Sequence, residues 1–251
     1  MDGLSKMLVN EPKYRLKQIQ KAWFDLAVSS YEEITTLPTE LREKLKDFPW
    51  LSVKLHTILK SKIDSTEKAL LELSDGELIE TVLMGRESLK ENKETDKWPV
   101  GERHTICISS QVGCAMNCVF CATGKSGFKR NLTVEEIVDQ YRFWQRRLSG
   151  VISTDPELAQ GGAERSLSEA EKRDSSPPHR RFGMTNPNIV VMGQGEPLLN
   201  YDNLKNALSI ILNNTEIGPT KITVSTCGIP EQMDKLLTDK DFPQVCWAIS
   251  L

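Results

Sequence analysis

The stretch Cys114-Ala115-Met116-Asn117-Cys118-Val119-Phe120-Cys121 constrains this chain most. Its thiols are spaced Cys-x3-Cys-x2-Cys, with an aromatic just before the last. Three thiolates on one short loop can ligate three irons of a [4Fe–4S] cluster, because soft sulfur ligands suit iron–sulfur chemistry. No fourth ligand stands nearby, so one iron would keep an open position, as reactive metal sites do. The competing reading is a structural zinc site. Zinc sites usually combine two Cys-x2-Cys or His pairs set some distance apart, and they are closed by four ligands. Here the three His are isolated, and Cys227 and Cys246 stand alone.

The totals are those of an ordinary globular chain, 39% hydrophobic and 27% charged over 251 residues. No apolar run reaches the ~18 residues of a membrane span. Met1-Asp2-Gly3-Leu4-Ser5-Lys6 lacks the apolar core of a signal peptide. The expected compartment is the cytoplasm, where thiols stay reduced, which suits a thiolate-bound cluster better than a disulfide framework. A net charge of −3 leaves no global basic footprint, so any nucleic-acid contact must rest on local patches.

Along the chain, residues 1–62 read as helical. Asn10-Glu11-Pro12 starts one helix, Leu37-Pro38-Thr39 a second, and Leu51–Leu59 is a third candidate. Ala69–Leu73 and Leu78–Leu83 flank Ser74-Asp75-Gly76-Glu77, a hairpin signal. Glu80 shares a strand face with Leu78 and Val82. Burial there would raise its pKa and make it a base; the alternative is a solvated edge-strand carboxylate. Residues 85–102 read as a polar linker. His104–Ile108 is the first core strand. After Cys121, the segment 122–134 carries Lys125, Lys129 and Arg130 and no acid, a basic patch suited either to phosphate contact or to solvation. Thr133 caps a helix that runs on through Leu148.

Residues 150–187 are rich in Ser, Glu, Arg, Pro and Gly, and are expected to be a disordered insertion. Order is expected to return with a strand at Asn188–Met192, followed by Gly193-Gln194-Gly195-Glu196-Pro197. Alone, Gly-x-Gly is weak, but after a strand it lets backbone approach a ligand closely. Helix through Leu212, strand Lys221–Ser225, helix Ile229–Leu237 and strand Val245–Ser250 complete the pattern. Such alternation means parallel βα units. The candidate ligand residues all follow strands, where such folds place their sites. The reading divides the chain into an accessory unit over 1–84, a linker over 85–102 and a core over 103–251.

The Cys-x3-Cys-x2-Cys loop resembles the signature of radical S-adenosylmethionine (SAM) enzymes. Its flanks, from Cys107-Ile108-Ser109-Ser110-Gln111-Val112-Gly113 to Gly127-Phe128-Lys129-Arg130-Asn131-Leu132-Thr133, are similar to the RlmN/Cfr family of radical SAM methyltransferases acting on adenine in 23S ribosomal RNA. The resemblance implies the fold class: α/β, about half of a partial parallel (βα)6 barrel, preceded by a small helical accessory domain with a β-hairpin that helps hold the RNA. It implies a [4Fe–4S] cluster on Cys114, Cys118 and Cys121, with SAM on the open iron and contacts from Gly195, Glu196, Ser225 and Ser250. An electron from the cluster would cleave SAM to a 5′-deoxyadenosyl radical. That radical would take hydrogen from an S-methyl cysteine, and the carbon radical so formed would add to the adenine. Cys107 is implied to resolve the protein–RNA adduct, and Glu80, in Glu80-Thr81-Val82, to accept its proton.

Implied partners are 23S rRNA and an electron donor such as flavodoxin or ferredoxin, with tRNA as a second substrate left open, the protein a monomer and no membrane. Carbon-2 and carbon-8 chemistry (the RlmN and Cfr types) stay open, as does a non-catalytic iron–sulfur protein that binds RNA. The family continues past Ser250-Leu251 and ends in a tail that carries the methyl-bearing Cys. Without it the chain is expected to be C-terminally truncated and inactive alone, although able to bind the cluster. Cys227 and Cys246 match no family position and read as core thiols.

Overall fold

The computed structural model describes residues 4, 7–86, 103–150 and 186–250. The linker expected at 85–102 and the insertion expected at 150–187 lie almost wholly outside them.

Helices α1 (Lys13–Trp23) and α2 (Thr39–Leu45) are each preceded directly by a proline, whose missing N–H costs nothing at a helix entrance. They bury Ile19, Trp23, Leu41 and Leu45. The third helix expected over Leu51–Leu59 is instead strand β1 (Val53–Lys60). Val53 and Leu55 are buried while Lys54 and His56 are exposed, the period of two that a strand imposes. β1 pairs antiparallel with β2 (Glu67–Leu73), which forms the expected hairpin with β3 (Leu78–Arg86).

β3 pairs antiparallel with β4 (Arg103–Ile108). Two short elements follow, β5 (Gln111–Gly113) and β6 (Phe128–Asn131), paired with each other, with the one-turn helix α3 (Ala122–Lys125) between them. From β4 onward the main sheet is parallel: β7 (Asn188–Val191), β8 (Ile222–Thr226) and β9 (Cys246–Ile249) join in turn. The order is β1-β2-β3-β4-β7-β8-β9, so the hairpin strands and the core strands share one seven-stranded sheet. Helix α5 (Tyr201–Asn214) links β7 to β8 and α6 (Pro230–Thr238) links β8 to β9, the crossovers parallel strands need.

Ile106, Ile108, Ile189, Val191, Ile222 and Val224 form the buried face of this sheet. Cys107, Val190, Thr223 and Ser225 alternate with them onto the other face and stay half-buried. Helix α4 (Val134–Leu148) opens with a full capping box between Thr133 and Glu136. It carries three buried arginines. Arg142 donates to Trp23 O at 3.1 Å, lies 5.0 Å from the ring centroids of both Trp23 and Trp50, and pairs with Asp139. Asp139 also accepts from Ser52 N at 2.6 Å and Ser52 Oγ at 2.7 Å. Arg146 donates to Val28 O, and Arg147 holds Glu67 of β2 through two bonds. These contacts fasten the N-terminal helices and the hairpin to the core.

Candidate metal centre

The cysteine loop leaves β5 and returns into β6. Cys114 N donates to Gly127 O at 3.1 Å, and Gly113 pairs with Phe128. Gly113 has φ +72°, and a Cβ there would lie 1.8 Å from Gly127 O, so no side chain fits. Inside the loop Cys121 N donates to Cys118 O, and Asn117 takes φ +46°, which Asn tolerates best among non-glycine residues. Val119 and Phe120 are 91% and 87% exposed. Backbone bonding, and not burial of the loop's large side chains, holds it in shape.

Cys114, Cys118 and Cys121 are free and half-buried. The Gly124 amide, helped by Thr123, pulls the Cys121 thiol below its ordinary pKa. Burial pushes Cys114 up, reinforced by charge on Cys118, Cys121 and Glu196. Among the described residues no three His, Cys, Asp or Glu side chains are gathered into a metal cage. The donor chemistry nevertheless fits an iron–sulfur cluster: three soft sulfurs on one loop, one already biased toward thiolate.

Glu196 follows β7 at the adjoining strand end. Gly195, at φ +101°, passes so close to β5 that a Cβ would lie 2.5 Å from Gln111 Cβ. Gln111 Oε1 accepts from Glu196 N at 2.9 Å, and Gln111 Nε2 donates to Asn131 Oδ1 at 2.8 Å. The Glu196 carboxylate is 4% exposed. It accepts from Leu198 N (3.1 Å), Thr226 Oγ1 (2.6 Å) and Cys227 N (3.0 Å). The Cys227 thiol hydrogen-bonds to it as well, so its roughly four lone-pair directions are taken, and a ligand's ammonium would enter by displacing that thiol. Ser225 lies on the half-buried face of β8, next to Thr226. Ser250 N donates to Thr226 O at 2.9 Å, which draws the exposed Ser250 to the same edge. Glu196, Ser225 and Ser250 thus all lie at the C-terminal ends of parallel strands, with Glu196 within electrostatic range of Cys114.

Cys107 lies opposite Val82 and beside Val190, on the same sheet face as Ser225, and burial pushes its thiol pKa up. Glu80 is on this face too, two residues along β3 from Val82. The apolar burial expected for it is absent: its side chain is 46% exposed and pairs with Lys68 at 2.9 Å. Two expectations are overturned. Cys227 is half-buried at the end of β8 with its amide on Glu196, and Cys246 is exposed, so neither is a core thiol. Its position directly after Ser225-Thr226 was the available signal for Cys227. The basic patch after Cys121 is largely neutralised, because Lys129 pairs with Glu77 and Arg130 with Asp75 and Glu136. A sequence window cannot reveal acids that arrive from fifty residues upstream.

No protein-family model matches the chain. It is 37% identical over 243 residues to a protein of Heliobacterium modesticaldum named as a probable dual-specificity RNA methyltransferase RlmN, which aligns over 96% of this chain and 53% of that protein. It is 34% identical over 240 residues to the dual-specificity RNA methyltransferase RlmN of Campylobacter hominis, over 94% of this chain and 57% of that one. A solved radical SAM methyltransferase from Sphaerobacter thermophilus superposes with a TM-score of 0.68 at 31% identity, covering 99% of this chain and 60% of its own. The chain spans about half the length of the relatives it matches.

Proposed function

We propose that this chain, RlmN-type in sequence over nearly its whole length, provides the cluster-holding and SAM-holding part of a radical SAM methyltransferase that modifies carbon 2 of adenine in 23S rRNA and tRNA. One observation carries the reading: a three-thiol loop stands beside a buried carboxylate at the ends of parallel strands. The RlmN names of the relatives support carbon 2 over carbon 8.

Cys114, Cys118 and Cys121 would hold the [4Fe–4S] cluster, which when bound supplies the electron that cleaves SAM. Glu196, fixed by the Leu198 and Cys227 amides and the Thr226 hydroxyl, would offer the SAM ammonium the direction that the Cys227 thiol now takes, while Ser225, Ser250 and the side-chain-free Gly195 would line the approach. Cys107, on the same sheet face, would release the RNA adduct as a thiol nucleophile. Glu80 would take the proton from the adduct carbon once its bond to Lys68 opens. The electron donor would be a small protein such as flavodoxin or ferredoxin, and the compartment the cytoplasm. Among the described residues no helix is long and apolar enough to cross a membrane.

Anaerobic reconstitution tests the reading. About four irons per chain are expected, with a reduced-state EPR signal that shifts when SAM is added. Cys114→Ala, Cys118→Ala or Cys121→Ala should each abolish it. Stoichiometric zinc without a brown chromophore would overturn the cluster assignment. A cluster indifferent to SAM would favour a non-catalytic iron–sulfur protein.

A further inference from the structure

Asp75 and Glu77, in the turn between β2 and β3, have no part in the proposed function. They reach across to β6. Arg130 Nε donates to Asp75 Oδ2 at 2.7 Å, and Lys129 pairs with Glu77. The Arg130 guanidinium also grips Glu136 of α4 through two bonds, 2.8 and 2.9 Å, and touches Asn131 O at 3.2 Å. The Arg130 contact pulls Asp75 below the ordinary carboxylate pKa.

We propose that Asp75 and Glu77 are positioning residues for the cysteine loop: by holding β6 they fix the carbonyl of Gly127 that accepts the amide of Cys114. Three observations lead there. First, the leading half of β6, which follows Gly127, has little else to hold it. The strand is four residues long, Phe128 and Lys129 are exposed, and among the described residues its only ladder partner is the three-residue β5. An isolated pair of short strands is marginal in water.

Second, the ladder carries a bulge. Arg130 faces Val112 and Phe128 faces Gly113, so Lys129 is the extra residue on β6. Successive side chains of a regular strand point to opposite faces. A bulge relaxes that rule and re-aims a side chain, which is how neighbouring Lys129 and Arg130 both reach one turn. Third, β6 borders both halves of the site. Gly127, just before it, holds Cys114, and Asn131, its last residue, holds Gln111, which holds Glu196. A displaced β6 would shift the first thiol and the carboxylate together.

The inference rests on the cysteine loop being the cluster site, but its primary test does not need the cluster. Amide hydrogen exchange is compared between the parent chain and Asp75→Asn/Glu77→Gln, both without iron. Exchange across 111–131, and at Cys114 above all, should accelerate about threefold to tenfold, the range open to weak exposed ion pairs acting together. Protection of β7 and β8 should not change. The exchanged-charge pair Glu77→Lys/Lys129→Glu should restore part of the protection relative to Glu77→Lys alone. After reconstitution, the variant should keep its iron content while its reduced EPR signal broadens. Unchanged exchange in the loop would overturn the proposal. Uniform loss of protection through β7 and β8 would overturn it as well, since the pairs would then serve general stability. If the parent takes up no iron, the proposed function fails, while the exchange result still decides whether the turn positions the loop.

Discussion

Cys107, Cys121 and Cys227 take their chemistry from their neighbours. Cys121 sits where the backbone amides of Gly124 and Thr123 converge, which favours thiolate. Cys107 lies on a sheet face that desolvates it, and Cys227, half-buried and hydrogen-bonded to the carboxylate of Glu196, is pushed up to about 11. The thiolate is the reactive form. In the iron-free protein, alkylation with iodoacetamide followed by mass spectrometry across a pH series should label Cys121 at lower pH than Cys107 or Cys227. Cys107 and Cys227 should follow only well above neutrality. Labelling of Cys227 ahead of Cys121 would contradict the environments described for both. The Cys-x3-Cys-x2-Cys pattern is visible in any reading of the sequence, but this ordering is not, because it depends on amides and charges brought in by α3 and β7.

Among the elements, the short β5–β6 ladder does the most for the site while carrying little hydrophobic signal. Its residues are few and mostly polar, and periodicity needs length to be read. β1 is ambiguous in sequence for a related reason. Leu51, Val53, Leu55, Ile58 and Leu59 fit a helical stripe as well as a strand, and only pairing with β2 selects the strand. By contrast, Thr133 and Glu136 spell a capping box directly, and α4 begins there. Gly195 gives the ladder a sharp test. Gly195→Ala forces a Cβ to within 2.5 Å of Gln111 and demands φ +101° of an L-residue. The variant should lose the Gln111–Glu196 bond, melt at lower temperature by an amount matching about 1–3 kcal/mol of strain, and lose the SAM response of its cluster. Wild-type melting with an intact SAM response would show that the turn relaxes elsewhere.

At the scale of the molecule, the N-terminal helices and hairpin are held to the parallel core both by a shared sheet and by the buried cations of α4. Burial lowers the pKa of Arg142, and Asp139 opposes that shift. Removing one member of a buried pair leaves the other charge uncompensated. Arg142→Ala should therefore cost about 3–5 kcal/mol in urea unfolding, and should loosen α1 in hydrogen exchange, since Trp23 O loses its donor. A cost under about 1 kcal/mol, ordinary for an exposed ion pair, would mean that this junction is wet.

The sequence alone determined the features that are local in the chain. These are the three-thiol loop, the hairpin turn at Asp75-Gly76, the Thr133 cap and the alternation of strand and helix from Asn188 onward. Each rests on residue types within a few positions of one another, where turn chemistry, capping and side-chain period act. The tertiary structure alone decided everything that depends on distant residues meeting. It made β1 a strand by supplying β2, left Glu80 half-exposed beside Lys68, brought Cys227 to Glu196, and cancelled Lys129 and Arg130 with acids from fifty residues upstream. Burial and charge pairing are properties of neighbours in space, and pairing across a sheet chooses those neighbours without regard to their separation along the chain.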